Sequence, residues 1–100
     1  MSDKRSLRAL SRLQGRVYVY LKDDRTGEAF LRAAEGERFT FGDGVKPTDR
    51  QYASVMAVND DGTINYVGAM GMAAFGAKAD GVVRIDFSEY LRESEDFFMI

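Results

Sequence analysis

V-Y-V-Y-L, residues 17–21, is the stretch that decides the fold of this chain. Its β-branched and aromatic side chains are typical of a β-strand. Because side chains alternate along a strand, Val17, Val19 and Leu21 share one face, while Tyr18 and Tyr20 share the other. Both faces are apolar enough to be covered. The stretch therefore predicts a central strand.

A second strong pattern lies further along the chain and predicts a β-hairpin. Residues 52–58 and 63–67 are two strand-like runs, separated by Asn59-Asp60-Asp61-Gly62. This four-residue composition is typical of a turn, because Asn, Asp and Gly tolerate turn conformations and form local hydrogen bonds. The two runs are therefore expected to pair antiparallel.

Helical patterns flank these strands. Residues 2–14 carry leucines three apart, residues 26–35 follow a capping Thr26, and residues 68–78 place Met70, Ala73, Ala74 and Ala77 on one face. Shorter elements are predicted as strands at 39–41 and 82–87 and as a helical turn, capped by Ser88, at 89–93.

This order of elements predicts an α+β fold. Helices interrupt strands that are mainly connected by hairpins, which favours a two-layer sandwich. We expect one mainly antiparallel sheet of four or five strands with two or three helices packed on one face. A ferredoxin-like variant, with residues 39–41 as the extra strand, is the nearest named topology.

The residue types that are missing exclude several kinds of chemistry. The 100 residues include no cysteine and no histidine. Disulfides, thiolate metal sites, Ser–His–Asp triads and His-ligated zinc sites are therefore excluded. A chain of this length predicts a single domain. It shows neither an apolar run long enough for a membrane span nor a signal-peptide pattern, which predicts a cytoplasmic protein with no membrane partner.

Charge and apolar residues are unevenly distributed at the two ends. Residues 1–16 carry a net charge of +4 and residues 81–100 a net charge of −3, so the ends are expected to attract each other, within one chain or between chains. We divide the chain into a basic amphipathic helix or arm (1–15), an α+β domain (16–93) and an acidic, apolar tail (94–100). In this division the apolar residues of the two ends are not needed for the core of the domain; they are Leu7, Leu10, Leu13 and residues 97–100.

Candidate motifs for chemistry fail at their essential positions. Residues 71–78 resemble a phosphate-binding loop, but Ala77 stands at the lysine position and Lys78 at the hydroxyl position. Residues 59–65 resemble the middle of a calcium loop, but its first ligand and its bidentate glutamate are missing. The sequence therefore predicts no enzyme, no cofactor and no metal.

Two segments carry a resemblance to a group of proteins. The string FTFGDGVKPTDRQYASVMAVNDDGTINYVG, residues 39–68, and the segment 17–31 resemble small uncharacterised bacterial proteins of phages and other mobile elements of gut Firmicutes. The resemblance covers about residues 17–91. It implies an accessory protein of a mobile element that acts by binding a host protein, and it implies no catalytic residue.

The leading hypothesis is a small non-enzymatic module that binds another protein, with a homodimer as one form of that binding. The loop 43–50 combines a proline with charges of both signs, and loops carry binding residues more often than regular elements do. The candidate contact residues are Asp43, Lys46, Thr48, Arg50, Phe97 and Phe98.

The alternative hypothesis is a domain that binds single-stranded nucleic acid. Tyr18 and Tyr20 share a strand face and are flanked by Arg16 and Lys22, which is how sheet platforms stack bases next to phosphate contacts. Against it, the sequence beyond residue 16 carries a net charge of −6. Both tyrosines would also be explained by packing under a helix.

Overall fold

The computed structural model describes residues 5–99. The predicted beginning of the first helix, residues 2–4, lies outside the described residues. In chain order the elements are α1 (Leu7–Ser11), β1 (Arg16–Tyr20), α2 (Asp24–Gly36), β2 (Thr40–Phe41), a 3-10 turn (Pro47–Asp49), β3 (Val55–Val58), β4 (Thr63–Tyr66), α3 (Ala69–Gly76), β5 (Val82–Asp86) and α4 (Phe87–Leu91).

The five strands form one sheet in the order β2-β4-β3-β1-β5. The predicted α+β class, the five-stranded sheet and the β3–β4 hairpin are confirmed. β1 lies between β3, its antiparallel neighbour, and β5, its parallel neighbour. With β2 parallel to β4, the sheet is mixed, because crossover connections supply two of its four pairings. β1 and β2, which α2 joins, are parallel but separated by the whole hairpin.

The larger core lies on the sheet face that carries Val17 and Val19. α1, α2 and α4 pack on this face, whereas α3 packs on the opposite face. In its centre the rings of Phe30 and Phe87 meet edge to face with centroids 5.3 Å apart, an arrangement that aromatic pairs favour. The largest fully buried side chains of this core are Leu7, Leu10, Val19, Leu21, Phe30, Phe39, Met56, Ile64, Ile85 and Phe87.

Aspartates begin two of these helices, where the sequence analysis expected hydroxyl residues. Asp23 accepts a hydrogen bond from the backbone N–H of Thr26 at 2.9 Å, so α2 begins before Thr26. Asp86 accepts from the N–H groups of Ser88 and Glu89, so α4 begins one residue before Ser88. A carboxylate caps well because it also interacts favourably with the helix dipole. Hydrogen bonds from Thr26 lower the pKa of Asp23.

The N-terminal helix belongs to the domain. Leu7 and Leu10 are only 1% and 2% exposed, and both lie in the main core. The carboxylate of Glu37 accepts hydrogen bonds from the backbone N–H groups of Leu7 and Arg8 at 2.8 and 2.9 Å. The division at residue 15 therefore does not mark a boundary in the packing, because α1 buries its leucines against its own sheet.

The C-terminal segment is also part of the packed structure. The backbone N–H of Asp86 donates to the carbonyl of Phe97 at 2.7 Å, and that of Met99 donates to the carbonyl of Arg84 at 2.8 Å. The segment thus lies antiparallel along the outer edge of β5. The expectation that residues 97–99 are surplus to the domain is wrong, since pairing with β5 removes an open sheet edge.

The two ends meet within the chain. The guanidinium of Arg5 lies 4.8 Å from the ring centroid of Phe97 and 5.3 Å from that of Tyr90. It also donates to the carbonyls of Glu93 and Ser94. The contact therefore uses aromatic rings and backbone oxygens.

Replacing Leu10 tests whether the first helix is structural. We expect Leu10→Ala to lower the free energy of unfolding by about 2–4 kcal/mol, because it leaves a cavity in the core. Leu91→Ala is the matched control, since Leu91 is 43% exposed, and it should change stability by less than ~1 kcal/mol. Urea unfolding measures both. Equal small effects would mean that α1 is an appendage.

Gly27 and Gly36, both in α2, provide a second test of the packing. A Cβ atom at Gly27 would lie 2.3 Å from the ring of Tyr52, whereas one at Gly36 would meet nothing within 4 Å. Alanine stabilises a helix relative to glycine by about 1 kcal/mol, and overpacking costs about 1–3 kcal/mol. We therefore expect Gly27→Ala to destabilise the protein and Gly36→Ala to stabilise it in urea unfolding. Stabilisation by both would contradict the packing of Tyr52.

Candidate functional site

The second face of the sheet is covered by a single helix. α3 is the one helix, of the four in residues 5–99, that packs there. Its Phe75 ring lies 6.5 Å from that of Tyr18, and both belong to a small buried cluster with Val55. Gly71 lets α3 lie close to β1, because a Cβ there would lie 3.2 Å from the Tyr18 hydroxyl and 2.6 Å from the side chain of Val67, which precedes the helix.

The position of α3 is as predicted, but the apolar face that the sequence pattern picks out is not the buried one. On that face Met70 is 88% exposed, and Ala73 and Ala77 are exposed as well. Phe75 is the buried residue of the helix, because its ring is large enough to reach Tyr18. The helix therefore presents its methionines to solvent.

The outer side of α3 forms an apolar surface. We call Ala69, Met70, Met72 and Ala73, all exposed, the α3 surface. Met72 is 40% exposed, and residues 68–77 contain no charged or polar side chain. A helix that is apolar on all sides is ordinarily buried. A contiguous exposed apolar patch is typical of a contact site for another molecule.

Packing holds α3 in place. Gly68, at its beginning, provides no side-chain cap. At its end the guanidinium of Arg84 donates to the carbonyl of Phe75 at 3.4 Å and lies 5.3 Å from the Phe75 ring centroid. It also donates to the carbonyl of Met99 at 3.3 Å. Arg84 thus links the end of α3 to the C-terminal segment.

Side chains of the predicted contact loop, residues 43–50, form a salt bridge and hydrogen bonds with other residues of this chain. Arg50 forms a salt bridge with Asp43 at 2.6 Å and lies 4.8 Å from the Phe41 ring centroid. The hydroxyl of Thr48 donates to the carboxylate of Glu35 at 2.6 Å. These contacts fix the shape of the loop and occupy three of its four candidate residues.

The remaining candidates do not form one surface with the loop. Lys46 is exposed and takes no part in the contacts just described. Phe97 is half-buried and Phe98 is 46% exposed, both at the β5 edge. The loop lies beside β2, the opposite edge of the sheet. The six predicted residues are therefore distributed over two sides of the molecule.

The contact between Glu35 and Thr48 predicts a dependence of stability on acid. Hydrogen bonds from Thr48 lower the pKa of Glu35 from its ordinary value of 4.5. A pKa lowered by folding stabilises the protein above pH 4.5, and this contribution is lost as the pH falls through the folded-state value. We expect Glu35→Gln to reduce the loss of stability between about pH 5 and about pH 3.

Glu95→Gln is the control for this measurement, because Glu95 is exposed and its replacement removes the same charge. Urea unfolding is repeated at each pH for both variants and for the unchanged protein. If Glu35→Gln and Glu95→Gln show the same acid dependence, the contact with Thr48 has no role in it.

The four residues of the nucleic-acid hypothesis are not brought together. Tyr18 is only 8% exposed under α3, and Tyr20 is half-buried, so the tyrosines do not form an open stacking platform. Arg16 begins β1 and Lys22 lies two residues beyond its end, ~20 Å away at the rise of an extended chain, and both are exposed. Of these four residues, Arg16 and Tyr18 line one groove.

A second groove contains Tyr52, the side chain with the largest described pKa shift. Its hydroxyl donates to the carboxylate of Asp24 at 2.5 Å, and this hydrogen bond raises the pKa of Tyr52 to about 12. The phenol stays protonated at neutral pH, so it provides no base there. Among residues 5–99 no three acidic side chains are grouped so that they could hold a metal ion. In the same range no helix has the length and apolar character needed to span a membrane.

No protein-family model, curated protein or solved structure matches the chain. The residues of the site are therefore defined by the structure alone. Sequence reasoning missed the α3 surface because it grouped Met70 with three alanines on one face and treated residues 68–78 as a tightly packed helix. The available signal was the absence of any polar side chain from residues 68–77, which leaves the solvent side of the helix apolar however it is turned.

Proposed function

We propose that this protein is a non-enzymatic protein-binding module and that the α3 surface is its contact site. One observation carries the proposal: α3 has no polar side chain, yet Met70 is 88% exposed. Leaving this surface in water forgoes the free energy that burial of apolar side chains supplies. Methionine side chains are flexible and adapt to the shape of a bound surface, which suits them to contact sites.

The occupant that we propose for this surface is a second copy of the same chain. A two-fold axis would bring two α3 helices together, each presenting the same residues. Since residues 68–77 carry no charge, this pairing juxtaposes no like charges at its centre. Ala69 and Ala73 lie one turn apart and allow close approach, while Met70 and Met72 fill the space beside them.

The size of α3 determines how strong this association is. Eight residues of helix extend ~12 Å, so the contact buries less than the ~800 Å² per partner of a stable interface. The dimer is therefore weak, with a Kd of ~100 μM or higher. A partner protein with a larger apolar surface would displace the second copy.

The wider role in the proposal is that of a cytoplasmic accessory protein of a phage or mobile element. It is supported by the resemblance of residues 17–31 and 39–68 to small proteins of such elements. In that role the α3 surface binds a host protein, and self-association keeps it covered at high concentration.

Sedimentation equilibrium tests the contact site. At concentrations from ~10 μM to ~1 mM, we expect the average mass to rise above the 11.2 kDa of one chain. Met70→Glu should keep the protein at the mass of one chain, because two apposed copies would bury like charges without a partner. The exposed position of Met70 means that the variant keeps its fold.

Leu91→Glu is the matched control. It makes the same apolar-to-acidic change at an exposed side chain, on α4, which packs on the other face of the sheet. We expect this variant to associate as the unchanged protein does. A chain that stays monomeric over the whole concentration range, or association that Met70→Glu leaves unaltered, would contradict the proposed contact site.

A further inference from the structure

A groove lies at the end of the sheet where β1 begins. It is formed by the connection from α1 to β1 and by the end of β3 with the following turn, and its volume is about 680 Å³. This volume is in the range of ~300–1,000 Å³ that is typical of small-molecule sites. Its lining includes no residue of α3, so a ligand site in this groove is independent of the proposed α3 contact.

Two arginines in this groove have no acidic partner among residues 5–99. Arg12 and Arg16 both line it and both are exposed. Neither takes part in the salt bridges found within residues 5–99, whereas Arg32, Arg50 and Arg92 are paired with carboxylates. The groove therefore has two guanidinium groups whose donors are available.

Arg5 and Arg8, in the same basic segment, differ from Arg12 and Arg16 because their guanidinium groups contact other parts of the fold. Arg5 is held by carbonyl oxygens and two aromatic rings, and Arg8 lies 4.6 Å from the Phe39 ring centroid. The basic N-terminal segment is thus divided into arginines that pack against the fold and arginines that face the groove. Asp60 also lines the groove, which leaves its charged lining at +1 in a chain of net charge −2.

Apolar residues also line the groove. Tyr18 and Ala57 lie opposite each other on β1 and β3 and therefore share a face of the sheet. Both line the groove, and so does the half-buried Leu13, which packs against the core on the opposite face of the sheet. The two exposed arginines are therefore the side chains most accessible to a ligand, and they favour one with an anionic group.

We propose that this groove binds a small ligand that carries a phosphate group. Arg12 and Arg16 bind the phosphate, because guanidinium groups donate paired hydrogen bonds that match its oxygens. Arg16 lies on the same face of β1 as Tyr18, because side chains alternate along a strand and the two residues are two positions apart.

Titration of the full chain with adenosine monophosphate, followed by amide NMR shifts, tests the assignment. We expect shifts confined to residues 12–18 and 57–60, with a Kd of ~0.1–1 mM at low salt. Affinity should fall as the ionic strength rises, because the arginines are exposed. Adenosine, which lacks the phosphate, should bind at least about tenfold more weakly.

Variants identify the groups that bind. Arg16→Gln should weaken adenosine monophosphate binding about tenfold, and Arg16→Lys should restore part of it by retaining the charge. Arg32→Gln is the matched control, because Arg32 is exposed and lies in a different groove, and it should leave binding unchanged. The dispersion of the amide spectrum shows that each variant is folded.

Three results would overturn the proposal. The first is no binding at ~10 mM ligand, a concentration at which even weak sites fill. The second is equal affinity for adenosine, which would remove the role of the phosphate. The third is tighter binding of a short oligothymidylate than of the mononucleotide, which would assign the groove to single-stranded nucleic acid.

Discussion

Burial of β1 on both of its faces is the constraint on which the rest of the structure depends. Val17 and Val19 on one face and Tyr18 on the other are 8% exposed or less. Three helices cover the first face. One of them, α1, contributes Leu7 and Leu10, and the C-terminal segment contributes Phe97. Since the free energy of folding comes from this burial, α1 cannot serve as a free arm.

The second face is covered much less completely, and this asymmetry creates the candidate contact site. One eight-residue helix covers Tyr18 and is itself anchored by Phe75 and Arg84. The inner side of α3 is apolar, as packing against the sheet requires, but its outer side, which faces solvent, is apolar too. The groove beside Arg16 lies where β1 begins, and no residue of α3 lines it.

The sequence predicted most elements because periodicity is a local property. β1, the hairpin and α2 each carry a pattern that one segment displays in full. The failures concern relations between segments. Whether Met70 or Phe75 faces the sheet depends on the space left beside Tyr18, and the candidate loop is occupied because Glu35 and Asp43 happen to lie within reach of Thr48 and Arg50. The packing of α1 and of the C-terminal segment likewise depends on residues that are distant in the sequence.

Selective labelling of methionine methyl groups tests the α3 contact most directly. Met70 and Met72 are exposed on α3, while Met56 is fully buried in the main core and is an internal reference. As the concentration rises from ~10 μM to ~1 mM, we expect the Met70 and Met72 methyl signals to move together along a binding curve while Met56 stays fixed. Stationary Met70 and Met72 signals, or equal movement of all three, would contradict the proposed contact.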